Sequence, residues 1–262
     1  MVKILFLGDI VGNLGRQIVK DQLSEIKKSN SIDFVVANGE NATHGKGLSL
    51  AHYKELIGAG IDCITMGNHF YRVREIIDKN DEYISLIRPL NMHPSTPGKG
   101  SALFVIKDNI RIRVTNLIGR VFIDGGDSNP FDALNNLIEK EVKDEIHFVD
   151  FHAEATGEKM ALALAFDGKI SALAGTHTHV QTNDNRILPN GTGFVSDAGM
   201  CGAYDSILGD DPTSIISRSW YGQPTKFTPK DDGKKILNGV IYSINEKTKK
   251  CEKVELVNIF ED

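Results

Sequence analysis

The sequence lacks the features of a secreted disulfide scaffold and of a membrane protein. It contains only three cysteines, Cys63, Cys201 and Cys251, which form neither a C-x-x-C pair nor an even framework. Neither disulfides nor a thiolate zinc site is therefore indicated. No run approaches the ~20 apolar residues that cross a bilayer, and Asp9 interrupts the apolar run from Ile4 to Leu7 before it could form a signal-peptide core. We expect a cytoplasmic protein without a membrane partner.

The sequence also lacks an excess of positive charge. Its 30 lysines and arginines face 35 acidic residues, which gives a net charge of -5 and an isoelectric point near 5.9. We therefore do not expect stable binding to long nucleic acid. A small anionic substrate would need local positive charge, which metal ions can supply. The length of 262 residues is enough for a substantial core, and we predict one domain over residues 1–262.

The most informative feature present is a pair of histidines directly after an apolar run. His177 and His179 lie in Gly175-Thr176-His177-Thr178-His179, which follows the predicted buried strand at residues 170–174. Residues i and i+2 share a face of a strand, and in a tight loop both imidazoles can converge on one pair of ions. An H-x-H motif alone is weak evidence, so the surrounding sequence must support it.

Four further polar clusters follow apolar segments of the β type. They are Gly8-Asp9, Asn38-Gly39-Glu40-Asn41, Gly67-Asn68-His69 and Phe151-His152-Ala153-Glu154. Asp9, Glu40 and Asn68 follow one another at roughly 30 residues, about the length of one βαβ unit. Such positions lie side by side on a parallel sheet. We therefore expect one site, rich in oxygen and nitrogen ligands, at the carboxyl edge of a sheet, where open α/β folds place their ligands.

The pattern of the whole chain predicts an α/β protein. Strands and helices alternate over residues 4–66, residues 103–106 and 112–117 form a predicted hairpin, and the last third is rich in predicted strands. Two sheets packed face to face with helices outside account for this order. The stretch 200–235, rich in Gly, Pro, Asp and Ser, is predicted as a long loop, which indicates a lid, a binding loop or an oligomer contact. A simple surface excursion is the alternative.

The clustered residue types suit a two-metal centre. Two divalent ions about 3.5 to 4 Å apart can hold a bridging hydroxide and stabilise both oxygens of a phosphoryl displacement. Such a centre needs a bridging carboxylate, neutral nitrogen ligands and amide oxygens, and Glu40 lies in a turn that can project its carboxylate between two ions. The mixed set favours iron, manganese or zinc over magnesium or calcium.

Each of these residues also has an ordinary structural interpretation. Asp9 could be the N-cap of the following helix, Asn38 and Asn41 could stabilise turns, and His152 could pair with Glu154. Taken singly, these alternatives are at least as strong as ligation, whereas together they leave the coincidence at the strand ends unexplained. The remaining histidines are predicted to be surface or structural residues, with one possible substrate contact. They are His44, His52, His93 and His147, and His44 is the possible contact.

These residues resemble the ordered motifs of a known family. Leu7-Gly8-Asp9, Gly67-Asn68-His69, the isolated His152 and the H-x-H motif are similar to the motif series of calcineurin-like metallophosphoesterases. The chain most resembles the YmdB-like phosphodiesterase branch, through the segments at 38–42, 152–156, 177–182, 185–189 and 197–200. The usual D-x-H motif lacks its histidine at Asp9-Ile10-Val11, and the segment at 38–41 replaces the usual G-D-x-x-D-R motif.

The resemblance implies a four-layer αββα sandwich with two metal ions, iron first and manganese or zinc as alternatives. It implies hydrolysis of small phosphodiesters, notably 2′,3′-cyclic nucleotides such as 2′,3′-cAMP. By motif position, Asp9, Asn41 and His179 hold one metal, Asn68, His152 and His177 hold the other, and Glu40 bridges them. His69 then faces the substrate as the general acid that protonates the departing alkoxide. Its alternative role is to orient a ligand from outside the coordination sphere.

Other functions stay open at this point. They are a metal-dependent phosphatase or nuclease, and a regulatory protein with incidental hydrolytic activity. An amidohydrolase barrel also uses an H-x-H motif, but near its first strand, whereas here the pair lies at His177 and His179. The expected partners are a small phosphodiester substrate and, as a possibility, further copies of the chain.

Overall fold

The computed structural model describes residues 1–262, apart from the side chain of Asp108. The strands are β1 (Val2–Leu7), β2 (Asp9–Ile10), β3 (Phe34–Asn38), β4 (Cys63–Thr65), β5 (Leu86–Ile87), β6 (Ser101–Val105), β7 (Arg111–Ile118), β8 (Ile146–His152), β9 (Ala172–Thr176), β10 (Arg186–Ile187), β11 (Gly193–Val195), β12 (Met200–Ala203), β13 (Lys235–Ile244) and β14 (Cys251–Glu261). The helices are α1 (Gly12–Asn30), α2 (Leu50–Gly58), α3 (Glu75–Asp78), α4 (Pro130–Glu141), α5 (Thr156–Ala165) and α6 (Pro212–Tyr221). Short 3-10 turns cover Phe70–Arg72, Asn80–Glu82 and Lys107–Asn109.

The first sheet has the order β2-β12-β13-β1-β3-β4-β5, and β14 extends it by pairing with β13. Strands β1, β3 and β4 are parallel neighbours. Their carboxyl ends therefore open at one edge, which confirms the side-by-side arrangement predicted from the βαβ spacing. Helices α1 and α2 connect these strands, as the sequence predicted.

The second sheet has the order β10-β11-β9-β8-β7-β6. Strands β7, β8, β9 and β11 run parallel, while β6 pairs with β7 in the antiparallel sense. The predicted hairpin is thus confirmed. The carboxyl ends of β8 and β9, which carry His152 and lead into His177, lie next to each other.

Three hydrophobic cores separate four layers. Between the sheets, Phe6 of β1 packs against Phe148 of β8, with ring centroids 5.1 Å apart. On the outer face of the first sheet, Ile18 of α1 belongs to a core shared with β1 and α2. On the other side, Leu162 of α5 packs in a core with Leu134 of α4. The αββα sandwich expected from the sequence is confirmed.

The predicted loop at 200–235 is wrong in part, because it contains two regular elements. Strand β12 (Met200–Ala203) pairs with β13 and β2, and its small side chains gave no β signal in the sequence. Helix α6 starts from a local cap, in which the Asp211 side chain accepts a hydrogen bond from the Thr213 N–H. No residue of α6 is buried, so packing in the core does not define this helix. Among the described helices, including the 19-residue α1, none has the apolar length that a bilayer crossing requires.

Candidate metal centre

The predicted site residues come together where both sheets end. A cavity of about 520 Å³ opens there, and Glu40, Asn41, His69, His177 and His179 line it. Asp9 and His152 are fully buried and contact these lining residues from the protein interior. Asn68 completes the set through its contact with His152.

One half of the centre is built around His152. The Glu40, His152 and His177 side chains each offer one ligand atom, and these atoms all lie within 4.8 Å of one another. His152 Nε2 is 3.2 Å from Glu40 Oε1, 3.1 Å from His177 Nδ1 and 3.1 Å from Asn68 Oδ1. Four side chains from four different strand ends therefore point at one small volume.

The other half is built around Asp9. Asn41 Nδ2 is 3.3 Å from Asp9 Oδ1 and 3.2 Å from His179 Nε2. The Asp9 carboxylate also lies 3.7 Å from His179 Nε2. Asp9 belongs to β2 rather than to a helix cap, because the N-cap of α1 is Val11 and has no side-chain cap bond. The helix-cap interpretation of Asp9 is therefore wrong.

The two other structural interpretations have different outcomes. Asn38 does stabilise its turn, since its Oδ1 accepts a hydrogen bond from the Glu40 N–H at 3.1 Å. Glu154 does not pair with His152, because its Oε2 lies 3.2 Å from Nε2 of His177. Glu154 therefore belongs to the rim of the same cavity.

Two glycines allow this convergence. A Cβ placed on Gly67 would lie 2.3 Å from Glu40 Oε2 and 2.3 Å from His152 Cδ2. A Cβ on Gly175 would lie 1.8 Å from the carbonyl oxygen of Ser196. A side chain at Gly67 would displace Glu40 or His152, and one at Gly175 would push the strand that leads to His177 away from Ser196.

The loop that carries the H-x-H motif is strained and tightly held. His177 and His179 have φ values of 100° and 63°, a region that costs non-glycine residues of the order of 1–3 kcal/mol each. The His177 N–H donates to Asp9 Oδ2 at 3.0 Å. Asp197 Oδ2 accepts from the Thr178 N–H at 3.1 Å and from the Thr178 hydroxyl at 2.7 Å. These bonds hold both imidazoles in a conformation that the backbone alone does not favour.

A buried ion pair supports this loop from behind. Lys159 of α5 donates from Nζ to Asp197 Oδ2 at 2.9 Å, and both side chains are about 1 % exposed. Sequence reasoning missed Lys159. The signal was present, because Lys159, Leu162 and Ala163 share the buried face of α5, and a lysine on such a face needs an acidic partner.

Hydrogen bonds fix the tautomers of two histidines. The Thr176 hydroxyl donates to Asp150 Oδ1 at 2.7 Å, so at 2.9 Å it accepts the hydrogen of His152 Nδ1. The carbonyl oxygen of Leu208 accepts the hydrogen of His179 Nδ1 at 2.8 Å. In both rings Nε2 is the nitrogen that faces the carboxylates, an orientation that is common among histidine metal ligands. Thr176 and Asp150 were not identified as site residues from the sequence.

The carboxylates and imidazoles strongly perturb one another. Burial raises the pKa of Asp9, with His179 and His152 acting against it. Burial also opposes ionisation of Glu40, but His152 and His69 outweigh it and hold the pKa of Glu40 well below its usual range. Burial disfavours the charged form of His152, yet Glu40 and Asp9 raise its pKa to about 9. The field at the centre therefore favours a cation.

The Glu40 carboxylate gives the clearest indication that the centre suits a cation. Its Oε1 is buried and has no aligned hydrogen-bond donor among the described residues, although His69 Nδ1 and His152 Nε2 lie 3.1 and 3.2 Å away. A buried acceptor without a partner is costly. The oxygen and nitrogen donors around it fit a transition-metal ion.

His69 lines the cavity and contacts two of the candidate ligands. The backbone N–H of His69 donates to Glu40 Oε2 at 3.0 Å, and Nδ1 of its ring lies 2.7 Å from Asn41 Oδ1. His44, the possible substrate contact, does not line the cavity, whereas Lys46 two residues later does. Lys46 is a second residue that the sequence analysis missed.

The remaining histidines lie outside the site. His52 bonds to Thr43 Oγ1 at 2.8 Å, and His93 bonds to Ser95 Oγ at 2.7 Å. His147 is buried beside Thr115, where burial and the Arg113 charge lower its pKa to about 3.

The model of one protein family, described as YmdB-like protein, matches residues 5–257. The chain belongs to this family. The YmdB-like chain is 46 % identical over 262 residues to a 2′,3′-cyclic-nucleotide 2′-phosphodiesterase of Bacillus subtilis (strain 168), an alignment that covers 100 % of this chain and 98 % of the relative.

Solved structures support the same assignment. The structure of a novel phosphatase from Mycoplasma pneumoniae matches with a TM-score of 0.93 and 41 % identity, covering 100 % of this chain and 94 % of that one. A hypothetical protein from Thermus thermophilus matches with a TM-score of 0.92 and 36 % identity, and both chains are covered completely. This YmdB-like chain is therefore a hydrolase of phosphoric esters.

Proposed function

We propose that the chain hydrolyses small phosphodiesters, with 2′,3′-cyclic nucleotides such as 2′,3′-cAMP as the preferred class, at a centre for two metal ions. The observation that carries the proposal is the buried Glu40 carboxylate, whose Oε1 lies 3.2 Å from His152 Nε2 and 3.1 Å from His69 Nδ1 and which lines the same cavity as Asn41 and His179. The name of the Bacillus subtilis relative, 46 % identical over the whole chain, supports the substrate class.

The proposed ligands follow the two halves of the centre. Asp9, Asn41 and His179 would hold one ion, Asn68, His152 and His177 the other, and Glu40 both. The mixture of imidazole nitrogen and carboxylate oxygen favours iron, manganese or zinc, and the family resemblance puts iron first. When bound, the ions would lower the pKa of a water and neutralise charge on the phosphoryl group.

The side-chain amide of Asn41 must rotate for this assignment to hold. The structure places Asn41 Nδ2, not Oδ1, towards Asp9 and His179, and an amide ligates metals through oxygen. Rotating the amide by half a turn exchanges the two atoms, so Nδ2 would then donate to His69 Nδ1. In either orientation Asn41 occupies Nδ1 of His69, which leaves Nε2 as the nitrogen that can exchange a proton with substrate.

Residues outside the proposed ligand set have separate roles in this reaction. Asp150 and Thr176 keep the hydrogen of His152 on Nδ1, and Lys159 and Asp197 hold the strained H-x-H loop. His69 would give the proton at Nε2 to O2′ as the phosphorus–O2′ bond breaks. Water adds its OH to phosphorus, its other proton replaces the one that His69 gave up, and the product is the 3′-phosphate.

A comparison of substrates tests this proposal against its alternatives. We expect kcat/KM to be higher for 2′,3′-cAMP than for a nucleotide monoester or a short RNA, all under one metal condition. A clear preference for the monoester would make the chain a phosphatase, which the Mycoplasma pneumoniae structure is named. A preference for RNA would make it a nuclease, and no metal-dependent turnover would leave a regulatory role.

A further inference from the structure

The cavity above the candidate centre has a second wall that is not made of ligands. Ile207, Leu208, Ile215 and Phe227 line it together with the histidines. They come from the segment between β12 and β13, which the sequence predicted to be a loop. The cavity volume of about 520 Å³ lies within the range of roughly 300–1,000 Å³ for small-molecule sites.

We propose that this wall is a nucleobase subsite and that Lys46 at its edge contacts the phosphate of the same nucleotide. The inference rests on the proposed function, because it names how that site selects a nucleotide among phosphodiesters. Bases bind aromatic and apolar side chains through their faces, and one base on an aromatic ring is worth about 1–3 kcal/mol.

The apolar wall is hydrogen-bonded to one of the proposed ligands. The carbonyl oxygen of Leu208 accepts the hydrogen of His179 Nδ1 at 2.8 Å, and Leu208 has a φ of 56°, which is unfavourable for a leucine. The next residue, Gly209, approaches α1 so closely that a Cβ there would lie 2.6 Å from Val11 Cγ1. The apolar wall and a proposed ligand therefore keep one relative position.

Phe227 supplies an aromatic ring that is already held in place. The Arg218 guanidinium of α6 lies 5.1 Å from the centre of the Phe227 ring. The ring is half-buried, which leaves part of it for a ligand. A pre-positioned ring loses little conformational entropy when a base packs on it.

Lys46 gives the cavity its local positive charge. It is the only lysine or arginine among the described residues that line the cavity, whereas Glu40, Glu154 and Asp210 are acidic. The Lys46 N–H donates to the carbonyl oxygen of Thr43 at 3.0 Å, which fixes the turn that carries the exposed side chain. An anionic substrate gains a charge-assisted contact there that the acidic lining does not provide.

Two substrates distinguish a contact with the base from a contact with the phosphate. We compare 2′,3′-cAMP with glycerol 1,2-cyclic phosphate, which has the same cyclic diester but no base. Phe227→Ala should lower kcat/KM for 2′,3′-cAMP about 10- to 100-fold and leave the glycerol diester within about 2-fold. Lys46→Met should lower kcat/KM for both substrates about 10-fold or more. Ile215→Ala is the second wall variant, should Phe227→Ala fail to fold.

Matched controls come from exposed neighbours that do not line the cavity. Tyr221→Ala removes an aromatic ring, and Lys226→Met removes a charge, and both should leave both rates unchanged. An equal loss on the two substrates in Phe227→Ala and Ile215→Ala would overturn the base subsite. An unchanged rate in Lys46→Met would overturn the phosphate contact.

A binding measurement distinguishes this proposal from the proposed function. In calorimetry on the metal-loaded protein, adenosine 3′-phosphate should bind more tightly than inorganic phosphate, and Phe227→Ala should remove most of that difference. If the protein cleaves neither diester but keeps this difference, the subsite stands and the phosphodiesterase proposal falls. Equal affinities for the two probes would overturn the subsite even if the diester is cleaved.

Discussion

The two walls of the cavity are built in opposite ways. On the ligand wall, Asp9, Glu40 and His152 are at most 1 % exposed, and several hydrogen bonds reach each of them. On the apolar wall, Leu208 is 48 % exposed, and helix α6, which carries Ile215, buries no residue. The difference indicates that the chemistry rests on a buried sheet edge, while recognition rests on an exposed segment that is anchored at Leu208.

This contrast predicts different effects for substitutions on the two walls. Changes on the ligand wall or directly behind it should alter metal content, turnover or folding stability by large factors. Changes on the apolar wall should leave the fold and the metals intact and alter the choice of substrate. The following predictions test the contrast from its largest expected effect to its smallest.

The largest effect is expected at His69. His69→Ala should cut turnover of 2′,3′-cAMP by roughly 10² to 10⁴, the range for a lost general acid, because the departing oxygen loses its proton source. Metal content, measured on the same preparation by elemental analysis, should stay near that of the natural protein. If instead one metal equivalent is lost together with activity, His69 is a ligand.

The next effect is expected at the buried ion pair behind the H-x-H loop. Lys159→Met should leave the Asp197 carboxylate buried without its cation, which costs about 3–5 kcal/mol of unfolding free energy. Urea unfolding measures the loss. The matched control is Lys253→Met, which breaks the exposed pair with Glu255 and should leave the midpoint unchanged. Equal midpoints for the two variants would show that Lys159 does not support the loop.

A smaller effect is expected at Thr176. Thr176→Val removes the hydroxyl that links His152 to Asp150, so metal affinity should fall about 10- to 100-fold. Competition with a chelator measures that affinity. Thr192→Val is the control, because its hydroxyl is also buried but donates to the carbonyl oxygen of Ile170, away from the centre. A similar loss in both variants would attribute the effect to general destabilisation.

The smallest effect is expected on α6. Trp220→Ser replaces a side chain that is 77 % exposed, so the free energy of unfolding should change by less than about 0.5 kcal/mol. Thermal unfolding at two protein concentrations measures it. A large loss that depends on concentration would show that a second copy of the chain covers this surface.

Much of the ligand wall could be predicted because its signal is local. Each proposed ligand directly follows an apolar strand, or lies within three residues of its end, and strand β1 is parallel to β3. Contacts between distant residues were not predictable. The pairing of Asp9 with Met200 excludes the helix-cap interpretation, and the ion pair between Lys159 and Asp197 joins a helix to a strand end.

The apolar wall gave almost no sequence signal. Strand β12 is short and made of small or flexible side chains, and its pairing partners are β2 and β13. Helix α6 depends on its Asp211 cap rather than on a buried stripe. Lys46 lies in the same glycine-rich turn as His44, and the sequence analysis named only His44 as a possible substrate contact. The organisation of residues 1–262 as a single domain stays a prediction.

The most direct test of the account is the metal content of Glu40→Ala. We propose that one Glu40 carboxylate serves both ions, so its loss should leave their mutual repulsion uncompensated. Elemental analysis should find two equivalents of metal in the natural protein and a joint loss of both from the variant. Two full equivalents in Glu40→Ala would contradict the bridging role of Glu40 in the proposed centre.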